Sequence, residues 1–265
     1  MAIVEVDGFQ FLDNDAITIE QERIDEYVEY IIEKQIKSVY LCNLYFRDAE
    51  IDFLEKVDFI EKLLITSTGI KDFSVLQRLK NLKVLSIDEP EATVDLNGMD
   101  NLLELGITMN KYVKGISLLK GLKVLRLYKF NPKSKDCMEL SRLLSLEELK
   151  ITGSNIESFH GLNCLSQLKK LELTYLRKMN HIDVLEELSD SLRILEFNSC
   201  KKLLNHAYVG CLHNLEKLAF NECGEMSSIQ FITQLNCLKS FIFLKTKVVD
   251  GNLEPCERLE YTAHS

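Results

Sequence analysis

The chain has 265 residues, of which 46% are hydrophobic and 28% charged, and its formal net charge is −9 at pH 7. That balance suits a packed globular chain and excludes a disordered one. No run approaches the roughly 18 apolar residues of a membrane span, and the opening Met1-Ala2-Ile3-Val4-Glu5-Val6-Asp7 lacks the basic start of a secretory signal.

Eight cysteines without a C-x-x-C pair suit reduced thiols, so a cytoplasmic location is expected. The charge is uneven. Residues 1–61 hold 16 acids and 5 bases, a net of −11, whereas the other 204 residues hold 25 acids and 27 bases, a net of +2. The first elements carry this acidity. Ile3 to Phe11 alternates and turns at Asp7-Gly8, which predicts a hairpin. Thr18-Ile19-Glu20-Gln21 resembles a capping box. Ile24, Tyr27, Val28, Ile31 and Ile32 then follow at helical spacing, with Glu22, Asp25, Glu26, Glu29 and Glu33 on the other face. Residues 1–35 are read as an N-terminal cap made of a hairpin and an amphipathic helix.

From Ile36 onward one phrase recurs: apolar, two variable, apolar, one variable, apolar. It starts at 36, 60, 82, 102, 122, 146, 168, 192, 215, 238 and, in a worn last copy, at Cys256. Between copies an apolar residue falls every three positions, as in Ile70, Phe73, Leu76 and Leu79, or Ile156, Phe159, Leu162 and Leu165. That spacing suits tight 3₁₀ turns, whose side chains at i and i+3 eclipse. An L-x-x-L-x-L phrase with a period in the low twenties resembles the leucine-rich repeat, and the 3₁₀-like second half resembles its 22-residue internalin-type subclass. The resemblance implies an α/β solenoid, a curved horseshoe with a parallel sheet on its concave face and short helical turns on its convex face. It implies ten to eleven turns over residues 36–265, forming one continuous domain with the cap.

The sequence departs from that pattern at the asparagine slot three residues after each strand. The slot holds Thr68, Pro90, Asn110, Phe130, Ser154, Leu176, Cys200 and Cys223. The carbonyls that an asparagine ladder would satisfy must then be met by Thr, Ser, Cys or water. Cys200 and Cys223 lie one turn apart, close enough for a disulfide, and are expected as free thiols donating weak hydrogen bonds. Cys137, Cys164, Cys211 and Cys237 sit in the return segments and are expected in the core.

No H-E-x-x-H, P-loop or G-x-G-x-x-G occurs, and His160, His181, His206, His213 and His264 are scattered and read as surface loop residues. His206, Cys211 and His213 share a repeat but lack metal-ligand spacing. No enzyme activity, cofactor, metal or small-molecule substrate is therefore expected. The informative surface is the sheet's outer face, where the lone variable residue between the last two apolars points outward. That row begins at Tyr40 and Leu64, passes Ser86 and Gly106, and continues through Arg126, Lys150, Glu172, Glu196, Ala219, Ile242 and Glu260. Aromatic and Arg anchors dominate interface energetics, so the expected partner-binding residues are Tyr40, Leu64, Arg126, Tyr128, Lys150, Glu172, Tyr175, Ile194, Glu196 and Ile242. The expected function is a non-catalytic scaffold that binds another protein, such as a stoichiometric inhibitor of the kind a toxin-neutralising bacterial immunity protein represents. Lys111 to Lys135, with eight bases, no acid and three aromatics, offers nucleic-acid binding as the alternative.

Overall fold

A computed structural model describes residues 2–180 and 182–265, and its contacts cluster into two compact units, Met1–Leu122 and Lys123–Ser265. The predicted hairpin opens the first unit: β1 (Ile3–Val6) runs antiparallel to β2 (Phe9–Leu12). Asp7 and Gly8 take the tight turn with φ of 53° and 81°, the left-handed pair a two-residue hairpin needs. A strand unmarked by the sequence pattern follows, β3 (Ala16–Thr18), antiparallel to β2 and parallel to the next strand. It converts a hairpin into the start of a parallel sheet. Thr18 is therefore a fully buried strand residue and not a helix cap. The helix α1 (Ile24–Lys34) buries Tyr27, Val28 and Ile31 and packs against the turn Asp52–Val57. Ile32, expected on the same face, is 44% exposed.

Each L-x-x-L-x-L phrase then becomes a strand. The first unit continues with β4 (Ser38–Cys42), β5 (Lys62–Thr66), β6 (Val84–Ile87), β7 (Val94–Asp95), β8 (Glu104–Thr108) and β9 (Val113–Lys114). Strands β4, β5, β6 and β8 are parallel and aligned so that Val39, Leu63, Leu85 and Leu105 form one buried rung and Leu41, Ile65, Ile87 and Ile107 another. The two-residue strands β7 and β9 pair separately.

The second unit repeats the plan with β10 (Val124–Tyr128), β11 (Glu148–Ser154), β12 (Lys170–Leu176), β13 (Ile194–Asn198), β14 (Lys217–Asn221), β15 (Glu225–Met226), β16 (Ser240–Phe243), β17 (Lys247–Val248) and β18 (Tyr261–His264). Leu125, Leu149, Leu171, Leu195, Leu218 and Phe241 align across parallel strands, each with 1% exposure or less. The last copy is corrected by register. Ser240 pairs with Tyr261 and Phe243 with His264, so that copy starts at Leu259, and Cys256 instead closes the turn Glu254–Cys256.

The return halves are 3₁₀ turns, including Ser74–Gln77, Leu162–Cys164 and Gln230–Gln234, and the residues at every third position enter the core. Burying one Leu this way stabilises by about 1.5–3 kcal/mol, so the stacked rungs dominate stability. The Phe159, Phe197, Phe220 and Phe241 rings follow one another at 5.3–6.4 Å between centroids.

Hydroxyls and thiols take over the missing asparagine ladder. Ser67 donates to the Phe46 carbonyl at 2.8 Å, and Ser154 to that of Phe130. Cys223 Sγ reaches the Phe197 carbonyl at 3.3 Å, and Thr246 Oγ1 that of Phe220 at 2.7 Å. In the first of these positions the donor is Ser67, while the expected Thr68 is exposed. Cys200 and Cys223 are free, as is Cys137, which is fully buried and has its thiol pushed up to about 12 by that burial. Cys164 and Cys237, expected in the core, are exposed, and Cys211 is half-buried. They occupy positions between the buried residues of the three-residue steps, where side chains point toward solvent.

Candidate functional site

In each unit the outer face of the strands is built by register. In the first unit Tyr40, Leu64, Ser86 and Gly106 stand side by side. Tyr40 is half-buried and its hydroxyl is 2.9 Å from Thr66 Oγ1. Burial, the larger influence, raises its phenol above the ordinary value. Beside the row Lys62 pairs with Asp15 at 2.5 Å, tying the sheet to the cap. This stretch of face is nearly neutral and has small residues at one end.

In the second unit Arg126, Lys150, Glu172, Glu196, Ala219 and Ile242 line up on successive strands, and the next place belongs to Ala263 rather than the expected Glu260. Here the charges interlock. Glu172 lies 3.0 Å from Lys150 and 2.6 Å from Lys170, and Glu196 lies 2.7 Å from Lys217. Burial pushes the Glu172 carboxyl up, but the two ammonium groups outweigh it and hold the group below the usual carboxylate range. In return the hydrogen bond to Glu172 raises Lys170. A recess of about 250 Å³ opens between Arg126, Glu148, Lys150, Lys170 and Glu172.

The structure thus brings Arg126, Lys150, Glu172 and Glu196 together, with half-buried Ile194 beside Lys170 and Ile242 farther along. Tyr128 stands in the flanking column at 38% exposure. Tyr40 and Leu64 belong to the first unit's sheet. Tyr175 leaves the face: at φ 56° it turns onto the edge where strands run into loops and is 52% exposed.

That edge is a feature sequence reasoning missed. Two residues past each rung the backbone turns left-handed, at Lys129, Gly153, Tyr175, Ser199, Glu222 and Lys245, with φ between 51° and 67°. Beyond Tyr175 and Ser199 the loops carry Arg177, Lys178, Lys201 and Lys202, all exposed. The signal was in the sequence as two basic pairs at the same distance after consecutive rungs.

The basic stretch flagged for nucleic acid is partly neutralised. Lys111 lies over the Tyr112 ring at 4.9 Å, Lys123 pairs with Glu147 at 3.2 Å, and Lys135 pairs with Glu157 at 3.0 Å. Among the histidines, His206 is corrected from surface to core: it is 5% exposed, edge-on to Phe220, with Nε2 3.1 Å from the Cys223 carbonyl. Burial lowers its pKa, against a smaller opposing effect of that hydrogen bond. His160, His213 and His264 are exposed, while His181 lies outside the described residues. Among the described residues no three His, Cys, Asp or Glu side chains gather into a metal-ligand group, and no helix is long and apolar enough to cross a membrane.

No protein-family model matches the chain, and no curated protein matches it. Solved structures do. An internalin (InlF) of Listeria monocytogenes superposes with a TM-score of 0.63 at 16% identity, covering 86% of this chain and 74% of the internalin. The leucine-rich repeat domain of the type III effector XopL gives 0.61 at 18% identity, covering 85% and 82%. A leucine-rich repeat protein of Leptospira interrogans gives 0.60 at 15% identity, covering 92% and 69%. With the parallel register above, these likenesses give the fold plainly: an α/β leucine-rich-repeat solenoid of the internalin type.

Proposed function

We propose that the chain is a protein-binding scaffold that engages a partner protein through the outer face of the strands in its second unit. The observation that carries this reading is the strand-fixed row from Arg126 to Glu196, flanked by Tyr128, Ile194 and Ile242. Rigid strands hold these side chains in place before any partner arrives, so little ordering entropy opposes binding. The interlocked Lys150, Glu172, Lys170, Glu196 and Lys217 charges suit a partner whose own charges alternate, because paired charges can exchange partners without being stranded.

The finer reading is a stoichiometric inhibitor, such as an immunity protein that neutralises a bacterial toxin in the cytoplasm. The cap's surplus of acids supports it, since a one-sided field accelerates encounter with a basic target. The eight thiols suit a reducing compartment. Affinity purification from native extract tests the scaffold. The wild-type chain is expected to retain a partner that the variant Arg126→Glu with Tyr128→Ala loses, while far-ultraviolet circular dichroism stays unchanged. Equal retention by both chains removes the face from the interface.

A further inference from the structure

The second unit carries another recess, away from the face, on the edge where β11 and β12 run into their loops. It measures about 440 Å³ and is lined by Asn131, Gly153, Asn155, Tyr175, Arg177 and Lys178. Strand register explains its shape. Thr152 pairs with Thr174 and Ser154 with Leu176, so Gly153 and Tyr175 hold matching places between those pairs, and Asn155 and Arg177 matching places just past them. Gly153 has no side chain to fill the space next to the Tyr175 ring, and a Cβ built there meets nothing within 4 Å. The exposed Tyr175 and the bare backbone of Gly153 therefore both border the recess.

The polar groups are unspent. Asn155 Oδ1 is buried without a hydrogen-bond partner among the described residues. A buried amide oxygen left so costs free energy until a donor reaches it. Arg177 and Lys178 are exposed and form no ion pair among the described residues, whereas Lys135, Lys245 and Lys247 on the same edge are each matched to a glutamate. In the loop after the next strand, at the same distance past the rung as Arg177 and Lys178, come Lys201 and Lys202, also exposed. The loops leave neighbouring strands, which lie about 4.8 Å apart, so the two basic pairs form a short track beside the recess.

We infer that this edge is a docking groove for an acidic, extended peptide segment of a partner protein. The segment's carboxylates would meet Arg177, Lys178, Lys201 and Lys202, and a turn of the Asn155 amide would bring its buried Oδ1 to a backbone N–H. A peptide supplies that N–H at every non-proline residue. A sugar–phosphate backbone supplies anions but, in DNA, no donor, and the groove offers one exposed ring rather than the series of rings that stacks successive bases. The backbone and side chains of an acidic peptide therefore satisfy both unspent features, and a DNA backbone satisfies one. This inference rests on the scaffold reading and adds a second contact region to it.

The test uses the full chain and fluorescence anisotropy with a labelled, capped peptide of ten glutamates. A ten-glutamine peptide and a ten-thymidine strand serve as comparisons. Saturable binding of the acidic peptide is expected, with roughly tenfold loss in Arg177→Ala with Lys178→Ala, as for hydrogen bonds to charged groups. Gly153→Asn fills the recess without changing charge, in a backbone conformation asparagine tolerates, and should weaken binding several-fold. Arg126→Ala, on the face, should leave it unchanged. No saturable binding, tighter binding of the thymidine strand, indifference to Gly153→Asn, or equal loss in Arg126→Ala would each overturn the groove. Capture of a native partner that depends on Arg126 and persists in the Arg177→Ala, Lys178→Ala chain would leave the scaffold reading standing while the groove fails.

Discussion

The two units are built on the same buried rungs and differ in what they show to solvent. In the first, the outward row is Tyr40, Leu64, Ser86 and Gly106, with one hydroxyl bonded internally and no net charge. In the second, the row is Arg126, Lys150, Glu172 and Glu196, whose glutamates are locked into ion pairs with Lys150, Lys170 and Lys217. Register and burial are the same in both, so the backbone and core set the platform and the row alone sets its chemistry. Surface ion pairs contribute only about 0–1 kcal/mol each. The charged row is thus weakly coupled to stability and open to selection for a partner.

Equal rungs should respond equally to the harshest change. Leu85 in the first unit and Leu195 in the second both have 0% exposure. Leu85→Asp and Leu195→Asp each strand a charge between strands and are expected to cost more than about 4 kcal/mol, abolishing the cooperative urea transition of the unit that holds them. If one substitution is tolerated and the other is not, the equivalence of the two cores is broken.

The asparagine slot sharpens the comparison at a smaller scale. Ser67 makes one bond, donating to Phe46. Thr246 makes two, donating to Phe220 at 2.7 Å and accepting the Cys223 N–H at 3.1 Å. Removing both roles should cost more than removing one. Thr246→Val is expected to lose about 2–3 kcal/mol and Ser67→Ala about 1 kcal/mol, read from urea midpoints. The reverse order would mean that the hydroxyls fill space rather than bridge turns.

What the sequence made legible follows from burial. Leu63, Leu85, Leu149 and Leu171 announce strands because a rung with no exposure admits only apolar side chains, and alternation then places Arg126, Lys150, Glu172 and Glu196 on the opposite face. The last copy was misplaced because Thr262, Ala263 and His264 sit at a sheet edge, where the apolar requirement relaxes. Strand β3 is too short to alternate. The pairing of Glu172 with two lysines joins residues a full turn or more apart in the chain or two apart on one strand, so it depends on register. Tyr175 left the face because a left-handed φ follows the rungs from Leu127 to Phe243, and a tyrosine gives no hint of it, whereas Gly153 in the same column does.

The finest distinction between the units is pH. All five histidines lie beyond residue 122, and His206 alone among the described ones is buried. Its pKa is lowered from 6.5 by burial in the folded state. Below about 6.5 the unfolded chain therefore binds a proton that the folded chain resists, so stability is full above that pH and declines as pH falls through it. The imidazole also sits edge-on to Phe220 and bonds the Cys223 carbonyl, whose residue meets the Thr246 bridge, so protonation places a charge beside the slot of the same repeats. His206→Gln keeps a donor for that carbonyl and cannot take up the proton. Wild-type urea midpoints should fall between pH 7.5 and 5.5 by more than those of His206→Gln, with a difference smaller than the Thr246→Val effect. Parallel midpoints in the two chains would place the acid sensitivity in the carboxylates and remove His206 from it.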